Sequence, residues 1–349
     1  MLNRPAGPEA AGSIAQAWTV AVLNAGGWGT ALAVMLARRG ATVRLWARRP
    51  DLADRIRAER ENADYLPGVA IPAGVLVTCE LEEATSGADA VLIAVIASYM
   101  RTIGTLLRGL VTPDTLIAHG AKGLEPESWQ RLSAVLAETL GPELGARVAV
   151  LSGPNHAEEV ARGLPTASVL ACPDEEAAQR LQQLLGAPWF RVYTNRDVAG
   201  VELCSAAKNV VALAAGVGDG LDYGDNSKAA LITRALAEIW RLVERHGGSF
   251  ATVAGLAGVG DVIATCTSRH SRNRWAGEQI GRGMSPEQIA SSTRMVIEGI
   301  PATRGIVTLA RAAGVDMPIC EGVYRILFEG QRPEDAIREL MSREWTAEG

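Results

Sequence analysis

The chain has 349 residues, 48% hydrophobic, 21% charged and 5% aromatic, with a formal net charge of −5 at pH 7. That length exceeds one ordinary core and predicts two domains, and the acidic balance excludes a generally basic nucleic-acid-binding surface, so an anionic ligand has to be met by a local cationic cluster. The five cysteines, Cys79, Cys172, Cys204, Cys266 and Cys320, are scattered and never spaced CxxC, which predicts reduced thiols in a cytoplasmic setting, with neither a disulfide framework nor a zinc knuckle.

Residues 1–16 read as a loose tail without the apolar core of a signal peptide. WTVAVL, residues 18–23, suits a buried parallel strand. Helix formers at helical spacing follow over 28–39, and Gly40 ends that helix. ATVRLWARR, residues 41–49, reads as a second strand, completing a βαβ unit. Further strands are predicted at 89–95, 115–120, 148–153, 165–172 and 190–195, with helical patterns around 128–140 and 174–186. Strands alternating with helices imply an α/β domain with a Rossmann-like, doubly wound, mostly parallel sheet over 17–198. Beyond it strand signals nearly vanish. Helical spacing at 200–221, 226–247, 274–283, 285–297, 303–313, 319–329 and 333–342 predicts an all-α domain over 199–349. The longest uninterrupted apolar run, Ala90–Ala97, is far short of a membrane span, so no membrane insertion is expected.

Between the first strand and its helix stands a G-x-G-x-x-G-like turn with Asn24, Gly26 and Gly29 at the three glycine positions. Such glycines allow a tight turn, close approach of backbone amides to a pyrophosphate, and helix–strand packing. Asn24 replaces the first of them, and Asn tolerates positive φ better than most residues with a side chain. At the end of the second strand, where an acidic residue would bind a ribose hydroxyl, stand Arg48 and Arg49. Two guanidinium groups suit a 2′-phosphate, so NADP(H) is expected in preference to NAD(H), which remains possible. Taken as residues alone, the turn has a weaker second reading as a Gly-rich connection that binds nothing, and the arginines one as a solvated pair.

Four later stretches, AKGLE (121–125), SGPNHAEE (152–159), AAKNVVA (206–212) and GLAGVGDVIATCTSRHSRNRWAGEQIGRG (255–283), carry a collinear resemblance. Together with the turn and with GLPTA, ALITRALAE and MPICEGVY, the chain resembles the bacterial NAD(P)-dependent glycerol-3-phosphate dehydrogenase family from about residue 19 to 342. The resemblance implies reduction of dihydroxyacetone phosphate to sn-glycerol 3-phosphate. It implies that Lys208 is the catalytic lysine, that Lys122 touches cofactor and substrate, and that Asp261 belongs to the catalytic site. Gly153, Asn155, Ser271, Arg272 and Asn273 fall at substrate positions, with Arg272 also near the cofactor, and Gly27, Trp28, Ala157, Val296 and Glu298 at cofactor positions.

Elementary chemistry agrees with those assignments. Hydride addition to a ketone builds negative charge on its oxygen, which an ammonium can stabilise and protonate. A lysine serves better with its pKa lowered, by burial or by a second cation. Asp261 would orient Lys208 but pull its pKa upward, so the net direction is open at this level. The apolar neighbours Ala206, Ala207, Val210 and Val211 predict a half-buried helix around Lys208. No metal-ligating pattern stands out, and DYGDN, residues 222–226, reads as a loop and helix cap.

The chain departs from the family's pattern at Asn24, at Ala97, where a proline is usual, and at Asn155 and His156. The last pair keeps a second reading open, in which another small phosphorylated or phosphonylated carbonyl compound is reduced. A third, resting on Asn24, is a nucleotide-binding protein without turnover. The long helix over 226–246 predicts a surface for a partner chain and hence a homodimer.

Overall fold

The computed structural model describes residues 18–292, 296–344 and 347. The expected tail at 1–16 therefore lies outside the described residues, as do 293–295 of the helix expected over 285–297. The chain divides into two compact units, Met1–Ala121 with Ser133–Val198, and Lys122–Leu132 with Ala199–Gly349. Segment Lys122–Leu132 thus groups with the C-terminal unit, although a single cut near 198 would leave it in the first.

Among the described residues, the first unit carries ten strands: β1 (Thr19–Leu23), β2 (Thr42–Trp46), β3 (Glu61–Asn62), β4 (Leu66–Ala70), β5 (Leu76–Thr78), β6 (Ala90–Ile93), β7 (Leu116–His119), β8 (Ala149–Ser152), β9 (Thr166–Ala171) and β10 (Phe190–Asn195). Eight of them form one sheet in the order β10-β9-β8-β7-β6-β1-β2-β5. From β5 to β8 every pairing is parallel, and the parallel strands stand in the 3-2-1-4-5-6 order of a dinucleotide-binding sheet. β9 turns antiparallel to β8, and β10 runs parallel to β9. The central strands read as apolar runs because both faces are covered: Val20–Leu23 and Ala90–Val91 are fully buried.

Two elements were not legible in the sequence. β5 is three residues long, and the antiparallel pair β3–β4 begins with a strand of two. Neither is long enough to show a period. Both matter, since β5 completes the parallel order and β3–β4 lies against the nucleotide turn.

The second unit is helical. Its helix Val198–Gly220 is long and apolar enough, at mean hydropathy 1.4, to cross a bilayer by length and composition, yet 89% of that stretch is buried in the folded chain. It is mostly apolar and buried, as a core helix must be; Glu202, Ser205, Lys208 and Asn209 interrupt the run and are buried with it, which is why the uninterrupted stretch in the sequence is shorter. Backbone meets backbone where this helix crosses helix Arg272–Gly281. A Cβ on Gly216 would overlap the Arg274 carbonyl, and one on Gly277 the Leu213 carbonyl. Helices Asp225–Arg245, Phe250–Val253, Asp261–Thr267, Pro286–Ser292, Gly299–Ala313, Pro318–Phe328 and Pro333–Met341 also belong to the unit. A groove of about 1570 Å³ runs along helix Asp225–Arg245, and its lining includes none of Lys122, Lys208, Asp261 and Arg272.

Candidate functional site

In the first unit, the point where the parallel order reverses lies between β1 and β6, and ligands of such sheets bind beyond the carboxyl ends of the strands there. Asn24 sits at that point with φ 96°. Its Nδ2 donates to the Ala94 carbonyl at 2.9 Å, clasping the end of β1 to the end of β6. A glycine would adopt the same backbone but could not make that bond. Helix Gly27–Arg38 begins immediately afterwards, its first turn free of acidic residues. The earliest intrahelical bond runs from the Thr30 amide to the Gly26 carbonyl, so the amides of Gly27, Trp28 and Gly29 precede the helical ladder.

The turn is built for close approach. A Cβ on Gly29 would overlap the Asn24 carbonyl oxygen, and one on Gly27 would lie 2.9 Å from the Tyr65 carbonyl and 3.8 Å from the Ala157 Cβ. Asn62, on β3, donates to the Ala25 carbonyl at 2.9 Å and to Thr30 Oγ1 at 2.8 Å, holding the turn from outside. The Trp28 Nε1–H is buried with no acceptor among the described residues. Amides ahead of the helical ladder, an open glycine cradle and an orphaned indole donor all fit a bound dinucleotide.

Arg48 and Arg49 follow β2, both exposed. They differ in environment: the Arg48 guanidinium lies 5.1 Å from the centroid of the Tyr99 ring, whereas Arg49 grips both oxygens of Asp51 at 3.2 and 2.6 Å. Gly153 and Asn155 follow β8 in this same unit. Gly153 takes φ 117°, and Asn155, buried, donates to Ser168 Oγ at 3.0 Å.

In the second unit the three residues named for catalysis come together. The Lys208 ammonium donates to Asp261 Oδ1 at 2.6 Å and to Thr265 Oγ1 at 2.8 Å. The Lys122 ammonium donates to the other oxygen, Oδ2, at 3.0 Å. A π-helical turn, Leu256–Gly260, delivers Asp261 to this position: the Gly260 amide bonds the Gly255 carbonyl, and a Cβ on Gly258 would overlap the Val253 carbonyl. Helix Asp261–Thr267 then places Thr265 one turn on, where its hydroxyl donates to the Asp261 carbonyl at 2.6 Å.

One carboxylate facing two ammonium groups leaves a surplus positive charge in a buried place. Burial pushes Lys208 down to about 8, aided by the charge of Lys122 and opposed by Asp261. Burial alone would raise Asp261, but the two lysines outweigh it and hold the carboxyl below its ordinary value. Asp261 is therefore the fixed anion and Lys208 the group poised to exchange a proton near neutrality. Burial raises Glu298, with Arg272, Lys208 and Lys122 acting in the opposite direction.

A line of amide hydrogen bonds joins the other motifs. Asn209 donates to the Lys122 carbonyl at 3.2 Å, Asn273 donates to Asn209 Oδ1 at 2.8 Å, and the Gly299 amide donates to Asn273 Oδ1 at 2.9 Å. The Asn273 side chain is thus engaged in joining helices. Ser271 caps helix Arg272–Gly281, its hydroxyl accepting from the Arg274 amide. Arg272 itself is exposed at that helix's first position, and Val296 is exposed as well. Asn209, Thr265 and Asn62 also support these sites, and none of them belongs to the residues expected from the sequence. The first two carried a signal, since Asn209 adjoins Lys208 and Thr265 lies four residues beyond Asp261, one helical turn.

Comparisons with known proteins agree with this geometry. Family models described as the N-terminus and C-terminus of NAD-dependent glycerol-3-phosphate dehydrogenase match residues 19–178 and 197–338. The chain is 48% identical over 325 residues to a glycerol-3-phosphate dehydrogenase [NAD(P)+] of Chlorobium phaeobacteroides, covering 93% of this chain and 97% of that one. It is 48% identical over 330 residues to the protein of the same description from Moorella thermoacetica, covering 95% and 97%. Among solved structures, glycerol-3-phosphate dehydrogenase from Coxiella burnetii superposes with a TM-score of 0.89 at 41% identity, over 93% of this chain and 99% of that one.

Proposed function

Because the chain belongs to the NAD-dependent glycerol-3-phosphate dehydrogenase family, we infer that it is an oxidoreductase interconverting dihydroxyacetone phosphate and sn-glycerol 3-phosphate with NAD(P)(H), NADP(H) preferred. The observation that carries the chemistry is the single buried carboxylate of Asp261 shared by Lys208 and Lys122.

Bound NAD(P)H supplies a hydride to the ketone carbon. Lys208 gives its proton to the oxygen on which negative charge develops, so that ketone, reduced nicotinamide and one proton yield the secondary alcohol and oxidised nicotinamide. Asp261 stays ionised and aims the Lys208 ammonium, and Thr265 accepts a second hydrogen bond from it. Lys122 adds a second positive charge, which stabilises the developing alkoxide and lowers the cost of Lys208 losing its proton. In the reverse direction neutral Lys208 takes the hydroxyl proton. Arg272 and the N-terminal amides of its helix hold the phosphate, supported by its exposed, forked guanidinium and by the capped helix start. Gly26, Gly27, Trp28 and Gly29 hold the pyrophosphate, and Arg48 reads the 2′-phosphate.

Asn155 is the departure that suggested a different carbonyl substrate. Its amide already donates to Ser168, which supports the family substrate over a more polar one. The free state of the five cysteines supports a cytoplasmic setting. The half-exposed helix Asp225–Arg245, beside its groove, supports a homodimer formed through that face; sedimentation at several concentrations tests it.

The test of function is direct. Purified protein should oxidise NADPH on addition of dihydroxyacetone phosphate, and more slowly with NADH. No turnover with either nicotinamide, or faster turnover of another phosphorylated or phosphonylated carbonyl, would overturn the assignment.

A further inference from the structure

Segment Lys122–Leu132 is folded as a strap of the helical unit. It closes on itself through a bridge between Leu124 and Arg131 and through the Glu125 amide on the Gln130 carbonyl at 3.0 Å. Its bend carries two residues with side chains at positive φ, Glu127 at 74° and Trp129 at 55°, a backbone that persists only where the surroundings impose it. Two contacts impose it. The Trp129 ring lies over Gly305, where a Cβ would stand 2.8 Å from its Cε3. Arg131 donates to Glu202 at 3.0 Å, and the Glu202 side chain is only 2% exposed. Glu202 sits on the same helix as Lys208, and Gly305 on the helix whose first amide, Gly299, ends the line of hydrogen bonds from Lys122.

We propose that the strap is a positioning device: Arg131 paired with Glu202, and Trp129 seated on Gly305, hold the Lys122 ammonium on Asp261 beside Lys208. The consequence is electrostatic. The titratable groups that face Lys208 are Lys122 from the strap, Asp261 and the buried Cys266 thiol from helix Asp261–Thr267, and Glu298 ahead of helix Gly299–Ala313. Of these, Lys122 is the cation. If the strap loosens, Lys208 loses its repelling neighbour and gains a larger share of Asp261, and both changes favour its protonated form. Loosening the strap therefore moves the Lys208 titration to higher pH; hydration of Lys208 in a loosened core would move it the same way, but would add to the effect of removing Lys122 instead of being contained in it.

The proposal rests on Lys208 being the proton donor only for its kinetic readout, so two measurements are paired. One is the pH dependence of the reduction. The other is the titration of the Lys208 Cε resonance in isotope-labelled protein, which needs no turnover. Glu202→Gln is expected to shift both titrations upward, in the direction that Lys122→Met shifts them. The double variant is expected to shift no further than Lys122→Met alone, because the strap acts through that ammonium. Trp129→Ala tests the other anchor with the same expected outcome, and carries the test if Glu202→Gln does not fold. An unmoved Lys208 titration in a folded strap variant, or a shift that adds fully to that of Lys122→Met, overturns the proposal. A shifted resonance in a protein that reduces no ketone phosphate upholds the strap and rejects the assigned reaction instead.

Discussion

Lys208 and Lys122 meet on one carboxylate, each on its own oxygen of Asp261, at 2.6 and 3.0 Å. Asp261 by itself favours the charged form of Lys208. Burial outweighs it and the second ammonium adds to burial, leaving a lysine that can give up and recover a proton close to neutral pH.

Lys208→Met should lower the reduction rate by about a hundredfold to ten-thousandfold, the usual worth of a positioned acid–base group, while nicotinamide binding followed by calorimetry changes little. In the wild type, Lys208 titrating near 8 fixes the pH behaviour. Reduction needs the protonated form and should fall as pH rises through that value. Oxidation of glycerol 3-phosphate needs the neutral form and should rise across the same range. Parallel pH–rate profiles in the two directions check the sign.

At the nucleotide turn, Asn24→Gly relieves the strain of a side chain at positive φ and loses the bond to Ala94, two opposed changes of about 1 kcal/mol each. Stability and NADPH affinity should stay near wild type. Asn24→Val puts a β-branched residue at φ 96° and should cost about 1–3 kcal/mol, seen in denaturant unfolding. Gly29→Ala drives a methyl group into the Asn24 carbonyl and should abolish NADPH binding.

Cofactor choice should divide unequally between the two arginines. Arg48 lies over the Tyr99 ring and has no hydrogen-bond partner among the described residues, whereas Arg49 is chelated by Asp51. Arg48→Ala should lower kcat/KM for NADPH by about tenfold to a hundredfold, the loss of a charge-assisted phosphate contact, with little change for NADH. Arg49→Ala should have the smaller effect. Equal losses with both nucleotides would show that neither arginine reads the 2′-phosphate.

Glu238 gives a pH effect on stability remote from the lysines. Its carboxylate accepts from the Ile319 and Cys320 amides at 2.7 and 3.3 Å, yet burial pushes its pKa up to about 7 from an ordinary 4.5. Between those values the native state holds a proton that the unfolded chain releases. The stability contributed by this group is thus complete at pH 4 to 5 and lost as pH rises through about 7, on the order of 3 kcal/mol in all. Glu238→Gln cannot ionise, so the difference in unfolding free energy between wild type and variant should decline from pH 5 to pH 8. A constant difference would exclude Glu238 as the titrating group.

Much of the scaffold was legible because it is written in local patterns. The apolar strands β1, β2 and β6–β10, the turn at Asn24–Gly29 and the helix around Lys208 each announce themselves through composition or period over a few adjacent residues. What escaped was too short to have a period, as with β5 and β3, or belonged to a residue whose partner is distant. Asn62 reaches the turn from 37 positions away and the Lys122 ammonium reaches Asp261 across 139, distances over which no spacing rule operates.

The sequence by itself determined that an alternating strand–helix region with a glycine-rich turn precedes a helical one, and that lysines, an aspartate and an arginine follow in order. It also supplied both charges that compete over Lys208. Only the tertiary structure decided the contest, because desolvation depends on what surrounds a group in space and not on its neighbours in the chain: a buried pocket with two ammonium groups and one carboxylate brings Lys208 down, where an isolated pair would have sent it up.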